Sequence, residues 1–233
     1  MSAYNTELSP RLRESGVFLM RRFLNDDARR GESDAPTASQ VLEAARLVTR
    51  QAPLFRPRMF DGRPFRYRMT NCGVGWLATP DPRECVTPVR EGYYYAEINP
   101  YTGKPFPEIP DAIRRASITG ARLAGWDGFR PEACLINLYR NARENLGIHQ
   151  DRTERNLRPP VVSLSLGDTG VFQIGGATKG VPLETIYLES GDLIVLAGPS
   201  RLFFHKFERL LPGTSHALRG GGRLNLTVRQ VEH

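Results

Sequence analysis

From Ala133 to the C-terminus the chain is cut into short apolar runs separated by Gly, Pro and Asp: 133–139, 161–166, 171–174, 184–188, 192–196, 202–207 and 223–230. Runs of this length bounded by turn residues fit a β-structure of two sheets. The last of them constrains most. Arg223-Leu224-Asn225-Leu226-Thr227-Val228-Arg229 alternates strictly with period two, Leu224, Leu226 and Val228 on one face and Arg223, Asn225, Thr227 and Arg229 on the other. For an arbitrary strand of this kind the apolar face meets the core and the polar face meets solvent. Two arginines on one strand face, however, stand about 20 Å apart by rise alone. They converge on one small dianion only by leaning together, and guanidinium is the preferred bidentate partner of a carboxylate.

A second pattern lies upstream, in Gly147-Ile148-His149-Gln150-Asp151. A His and an Asp two apart in an extended segment point the same way. Together they are two-thirds of a 2-His-1-carboxylate set, which holds non-haem Fe(II) and leaves positions open. Alone, H-x-D more often marks a solvated turn. The chain has only three other histidines. His233 is the last residue and His216 sits in a polar loop, whereas His205 closes Arg201-Leu202-Phe203-Phe204-His205 after the apolar run Leu193–Leu196. A His beside apolar residues is usually a core residue. Here it is the natural second imidazole.

The joint order H-x-D, His, R-x-N-x-T-x-R resembles the AlkB-type dioxygenases, which use Fe(II) and 2-oxoglutarate to remove alkyl groups from nucleic-acid bases. Further matching stretches are Met69–Gly73, Gly92–Tyr95, Ala133–Tyr139, Val162–Gly167 and Ser200–His205. They run in the family's order and cover the chain from about Gly16 to Val231.

The resemblance implies an α+β fold: a double-stranded β-helix (jelly-roll) core over about 133–231, flanking helices, and a nucleotide-recognition lid over about 53–108, in one catalytic domain spanning 1–233. It implies Fe(II) on His149, Asp151 and His205, and 2-oxoglutarate on Asn137, Tyr139 and Asn225. Arg223 would take the distal carboxylate, with Arg229 at the metal end. With O2 as second cosubstrate, an N-alkyl carbon such as that of 1-methyladenine or 3-methylcytosine would be hydroxylated and lost as formaldehyde, leaving succinate and CO2. Trp76, Tyr93 and Tyr95 would contact the flipped nucleotide, with Lys179 on a phosphate. Three departures stand out. Thr153 occupies the place of an aspartate that touches the lesion base, Pro80–Pro88 lengthen the segment between Trp76 and Tyr93, and Leu196 replaces an aromatic residue. None touches iron or cosubstrate, so they bear on lesion and strand preference.

The 233 residues fit one domain with a substantial interior. A net charge of +7 suits a polyanionic partner, single- or double-stranded DNA or RNA, without establishing one. In residues 53–108, Arg56, Arg58, Arg63, Arg66 and Arg68 lie among aromatics, placing phosphate-neutralising charge beside stacking faces. Three cysteines without C-x-x-C argue for reduced thiols in a cytoplasm-like compartment and against structural zinc. No run suits a membrane span, and a monomer is expected. Residues 1–15 are read as poorly ordered, Val17–Met20 as a strand and Asn25–Asp34 as a loop. Thr37-x-x-Gln40 opens a helix to about Arg50, and Asp111 caps a second one ending at Gly125. Phe65–Asn71 and Gly92–Glu97 are read as hairpins outside any regular sheet. The rival enzyme is a 2-oxoglutarate hydroxylase of a small molecule or protein, against which the Arg- and aromatic-rich segment counts. A binding module without turnover is disfavoured by the intact ligand set.

Overall fold

The computed structural model describes residues 7–25, 35–59, 61–78, 86–87, 89 and 92–232. Its elements in chain order are α1 (Pro10–Glu14), β1 (Val17–Met20), α2 (Ala38–Gln51), β2 (Arg68–Gly73), β3 (Gly75–Ala78), β4 (Tyr93–Ala96), β5 (Ile98–Asn99), β6 (Lys104–Pro105), α3 (Asp111–Leu123), β7 (Ala133–Tyr139), β8 (Leu146–His149), β9 (Val161–Gly167), β10 (Thr169–Ile174), β11 (Glu184–Leu188), β12 (Leu193–Leu196), β13 (His205–Leu211) and β14 (Arg223–Arg229). A six-stranded sheet in the order β1-β12-β9-β14-β7-β2 faces a four-stranded sheet in the order β11-β10-β13-β8. Every pairing is antiparallel, and the two sheets form a jelly roll.

β14 lies between β9 and β7, and its register sets the interior. Arg223 is opposite Tyr139 and Gly167, Asn225 opposite Asn137 and Ser165, and Thr227 opposite Leu135 and Ser163. Its apolar face joins Ile136, Leu138, Val162, Leu164 and Val195 in a core that also takes Val41, Ala45 and Val48 of α2 and Ile113, Ala116 and Ala121 of α3. The polar face does not meet solvent, contrary to the expectation for an isolated alternating strand. Arg223, Thr227 and Arg229 are buried, because the four-stranded sheet covers that side.

Thr37 and Gln40 form the expected reciprocal capping box of α2. α3 starts differently: Pro110 is the cap residue without a side-chain bond, and Asp111 is the first helical residue, where its charge favours the helix N-terminus. Residues 10–14 are helical rather than disordered, capped by Ser9 and tied to β11 through Arg11 and Glu184, 2.7 Å from Nε to Oε1. Arg68–Gly73 is not a hairpin outside the sheet: β2 is the edge strand beside β7. The run 202–207 becomes strand only at His205, because Gly198–Leu202 form a 3₁₀ turn. β3 and β4 pair as a separate hairpin, Trp76 opposite Tyr95. Residues 1–6, most of the expected 25–34 loop, and most of Pro80–Pro88 lie outside the described residues.

Candidate active site

A cavity of about 180 Å³ opens between the two sheets, lined by Asn137, Tyr139, His149, Asp151, Thr153, His205, Arg223, Asn225 and Arg229, with Trp76 and Tyr93 from the hairpin. His149 ends β8 and His205 begins β13, and the two are direct register partners across that pair. Asp151 follows two residues after His149. The three ligand atoms lie within 4.8 Å of one another, each imidazole Nε2 standing 3.7 Å from an Asp151 oxygen. Nδ1 of His149 lies 2.8 Å from the Gly147 carbonyl, and Nδ1 of His205 2.8 Å from the Phe203 carbonyl. A carbonyl only accepts, so Nδ1 carries the proton and Nε2 presents a lone pair inward. Burial, reinforced by His149, pulls the pKa of His205 down to about 4, which keeps it neutral and able to ligate. Burial alone would raise the pKa of Asp151. The guanidinium of Arg229 above all, with the neighbouring histidines and Arg201, outweighs it and holds the carboxyl well below its usual range.

The far end of the cavity is cationic without an anion. Arg223 is 2 % exposed, donates from Nη2 to Ser165 Oγ at 2.9 Å and packs 5.0 Å from the Phe207 ring centroid. Among the described residues no carboxylate pairs with it, and burial lowers its pKa to about 10. Gly170 makes room for it, since a Cβ there would come 2.4 Å from Nε. A buried guanidinium costs several kcal/mol unless it is paired. Asn137 Oδ1 and Arg229 Nε are likewise buried with no hydrogen-bond partner among the described residues. Two imidazoles and a carboxylate at one end, and a lone guanidinium with an unsatisfied amide towards the other, fit Fe(II) and a dicarboxylate. Asn225 is already engaged, its Nδ2 donating to Ser163 Oγ at 2.6 Å and its Oδ1 accepting from Thr227 Oγ1 at 3.0 Å.

Two of the expected site residues do not line this cavity. Tyr95 is fully buried behind it, its hydroxyl donating to Glu154 Oε1 at 2.6 Å and accepting from Arg229 Nη1 at 2.8 Å, so it has no free face for a base. Burial pushes its hydroxyl pKa far above the ordinary tyrosine value. Lys179 is exposed, its ammonium 5.9 Å from the Phe204 ring centroid. Its loop is nonetheless fixed beside the metal-ligand segments: Phe204 N donates to the Gly176 carbonyl, and Gln150 Nε2 to that of Ala177. Trp76 and Tyr93 stack on each other, centroids 4.4 Å apart and 16° from parallel. Leu196, where an aromatic was expected, sits in the cavity wall with Val161, Phe172, Leu188 and Ile194.

Glu154 and Arg201 join the site without a local signal in the sequence. Glu154 is completely buried and accepts from Arg229 Nη1 at 3.0 Å and from Arg201 Nη2 at 2.8 Å. Burial opposes its charge, but the two guanidiniums hold its pKa below the usual value. Ser163 and Ser165 do carry such a signal, since their alternation in Val162-Ser163-Leu164-Ser165-Leu166 places both on the cavity face.

The 2OG-Fe(II) oxygenase superfamily matches residues 16–229. The alpha-ketoglutarate-dependent dioxygenase AlkB homolog of Caulobacter vibrioides is 40% identical over 202 residues, 86% of this chain and 85% of that protein. The alpha-ketoglutarate-dependent dioxygenase AlkB of Escherichia coli is 37% identical over 218 residues, 93% of this chain and 91% of that one. The solved structure of OsALKBH1 superposes with a TM-score of 0.72 at 27% identity, covering 93% of this chain and 97% of the other.

Proposed function

This chain belongs to the 2OG-Fe(II) oxygenase superfamily, in its AlkB branch, and we propose that it oxidatively demethylates alkylated bases in DNA or RNA. The observation that carries the reading is the buried Arg223, with no carboxylate partner among the described residues, in the same cavity as the His149–Asp151–His205 cluster, with the Trp76–Tyr93 stack on its wall. The cavity therefore offers a dicarboxylate seat, a metal seat and an aromatic platform together.

Fe(II), 2-oxoglutarate and O2 together supply the two-electron oxidation that places an oxygen on the N-alkyl carbon, forming succinate and CO2. The protein's part is to hold and orient. His149, Asp151 and His205 present their inward atoms to the metal. Arg223 anchors the distal carboxylate of the cosubstrate, and Asn137 and Tyr139, two apart on one face of β7, bind its body. Asn225 reaches the cosubstrate by exchanging its Ser163 or Thr227 contact. Arg229, 2.5 Å from Asp151 Oδ1, fixes the metal carboxylate from behind. Apolar wall residues such as Leu135, Val161 and Ile194 exclude water. The hydroxylated alkyl group then leaves as formaldehyde.

Because the target carbon is out of reach inside a duplex, the base is taken unpaired or flipped. In this reading 53–108 form the recognition lid, Trp76 and Tyr93 stack the base, Thr153 faces it, and Lys179 neutralises a phosphate. The +7 charge supports such a partner. Residues 1–233 act as one catalytic domain, monomeric and cytoplasmic. None of the described helices is long and apolar enough to cross a membrane.

The test is turnover with Fe(II) and 2-oxoglutarate on oligonucleotides carrying 1-methyladenine or 3-methylcytosine, in DNA and RNA, single- and double-stranded. Formaldehyde and succinate should appear together in equal amounts. Succinate at the substrate-free level on every oligonucleotide refutes the assignment and leaves a small-molecule or protein hydroxylase.

A further inference from the structure

Behind the metal cluster, four buried charged groups close a ring. Arg201 Nη1 donates to the main-chain carbonyl of Asp151 and Nη2 to Glu154 Oε2 at 2.8 Å. Arg229 Nη1 donates to Glu154 Oε1 at 3.0 Å and Nη2 to Asp151 Oδ1 at 2.5 Å. Asp151 is thus gripped at its backbone and at its carboxylate by arms that meet on one glutamate. Two cations and two anions balance, and all four residues are buried. Removing one would leave an uncompensated buried charge.

A fifth residue joins from elsewhere in the fold. Tyr95 donates to Glu154 Oε1 at 2.6 Å and accepts from Arg229 Nη1 at 2.8 Å. It lies on β4, directly opposite Trp76 of β3, and both residues project from one face of the hairpin. A two-stranded ribbon is marginal by itself, so its seat depends on what it touches in the body. Asn71 bonds the Trp76 backbone, and Arg155 Nη2 reaches the Val86 carbonyl at 3.0 Å. The Tyr95 hydroxyl enters the ring around Asp151.

We propose that Tyr95, Glu154 and Arg201 are positioning residues that tie the geometry of the metal carboxylate to the seat of the β3–β4 hairpin, so that metal binding and hairpin seating favour each other. The hairpin carries Trp76 and Tyr93, so the surface offered to a base depends on whether the metal site is filled. Coupling of this kind is reciprocal by thermodynamic necessity and can be read from either side.

The experiment uses Mn(II) alone as the probe, without nucleic acid or turnover. Mn(II) affinity and amide exchange of residues 75–78 and 93–96, with and without Mn(II), are measured on wild type, Tyr95→Phe and Glu154→Gln. Tyr95→Phe keeps the buried ring and deletes only the hydroxyl. Thermal unfolding of the metal-free proteins verifies that each variant folds, and if Glu154→Gln does not, Tyr95→Phe carries the test. In wild type, Mn(II) should slow hairpin exchange. In Tyr95→Phe the affinity should fall about tenfold, as for other outer-shell partners of metal ligands, and the protection should vanish. Unchanged affinity in Tyr95→Phe, or hairpin exchange that ignores Mn(II) in wild type, overturns the coupling. The inference rests on His149, Asp151 and His205 being metal ligands. A wild type that binds no Mn(II) refutes that reading, whereas normal binding with an indifferent Tyr95→Phe refutes only the coupling.

Discussion

Replacing Arg223 with Met should move the stability of the protein in opposite directions with and without cosubstrate. In the cosubstrate-free protein Arg223 is a buried cation with no carboxylate partner among the described residues, and its pKa is lowered to about 10. Relative to the ordinary 12.5, that net shift, in which burial outweighs the favourable charges of Tyr139 and Asp192, corresponds to roughly 3 kcal/mol against the charged form. Against it stand one hydrogen bond to Ser165 and the stack on Phe207, together about 2 kcal/mol. Methionine is unbranched, similar in reach and apolar, and fills most of the space. The variant should therefore be more stable by about 1 kcal/mol, a rise in Tm of about 2–4 °C for a chain of this size. With Mn(II) and 2-oxoglutarate at 100 times the wild-type Kd, the wild type gains about 2.7 kcal/mol and the variant should gain almost nothing. The assay is a thermal melt of both proteins with Mn(II), with and without 2-oxoglutarate. A variant that melts lower in the absence of cosubstrate yet keeps the wild-type upshift in its presence would show that Arg223 is an ordinary structural cation. Arg223→Lys keeps the charge but not the planar fork, and should lose most of the upshift too.

Other outcomes follow from the same geometry. His149→Ala, Asp151→Ala and His205→Ala should each lose bound metal, measured by elemental analysis, and all turnover, with the circular dichroism of the fold retained at 25 °C, Asp151→Ala at a lowered Tm because Arg229 loses a buried partner. The metal-free protein should lose stability as pH falls from about 6.5 to about 4, because the unfolded chain binds a proton at His205 that the folded chain refuses; urea melts across that window should show His205→Asn with a shallower slope. Lys179→Ala should reduce the salt dependence of oligonucleotide binding by about one ion, while Trp76→Ala should cost about 1–3 kcal/mol with the slope little changed, both read by anisotropy titration. Thr153→Asp should sharpen preference for the cationic 1-methyladenine and 3-methylcytosine over neutral lesions in competition assays. It should also lower Tm, since Thr153 Oγ1 already sits 3.5 Å from Glu154 Oε1 and a second carboxylate there meets like charge.

The metal cluster and the closing strand were legible because both rest on local periodicity. His149 and Asp151 are two apart, and Arg223–Arg229 alternate without a break, so backbone geometry alone groups their side chains. The capping box at Thr37 and Gln40 is local in the same way. What could not be read depends on segments far apart in sequence. Tyr93 and Tyr95 share a strand face and look equivalent in the sequence, yet Tyr93 lines the cavity while Tyr95 lies behind it. The difference is made by Glu154, 59 residues away, which captures the hydroxyl. β2 was hidden because Pro, Gly and Arg around it imitate a loop, and only pairing with β7 shows it to be a sheet edge. The start of α3 went astray because a lone Asp after Pro suits either a cap or a first helical residue.

The face of β14 that should have met water explains why the site works as a site. In this sheet both faces are buried, the apolar one under α2 and α3 and the polar one under the four-stranded sheet. A buried polar face is stable only where its groups find partners. Along β14 the pairing of charge is uneven: Arg229 is bonded to Asp151, Glu154 and Tyr95, and Thr227 and Asn225 to each other and Asn225 to Ser163, whereas among the described residues the side-chain hydrogen bond of Arg223 goes to the neutral Ser165. The electrostatic deficit is therefore concentrated at the end away from the metal ligands. An anion that spans the cavity with a carboxylate at each end would meet Arg223 with one and the metal with the other. A monocarboxylate of similar size leaves one of the two unsatisfied. Selection for a dicarboxylate is thus built into the uneven pairing along a single strand.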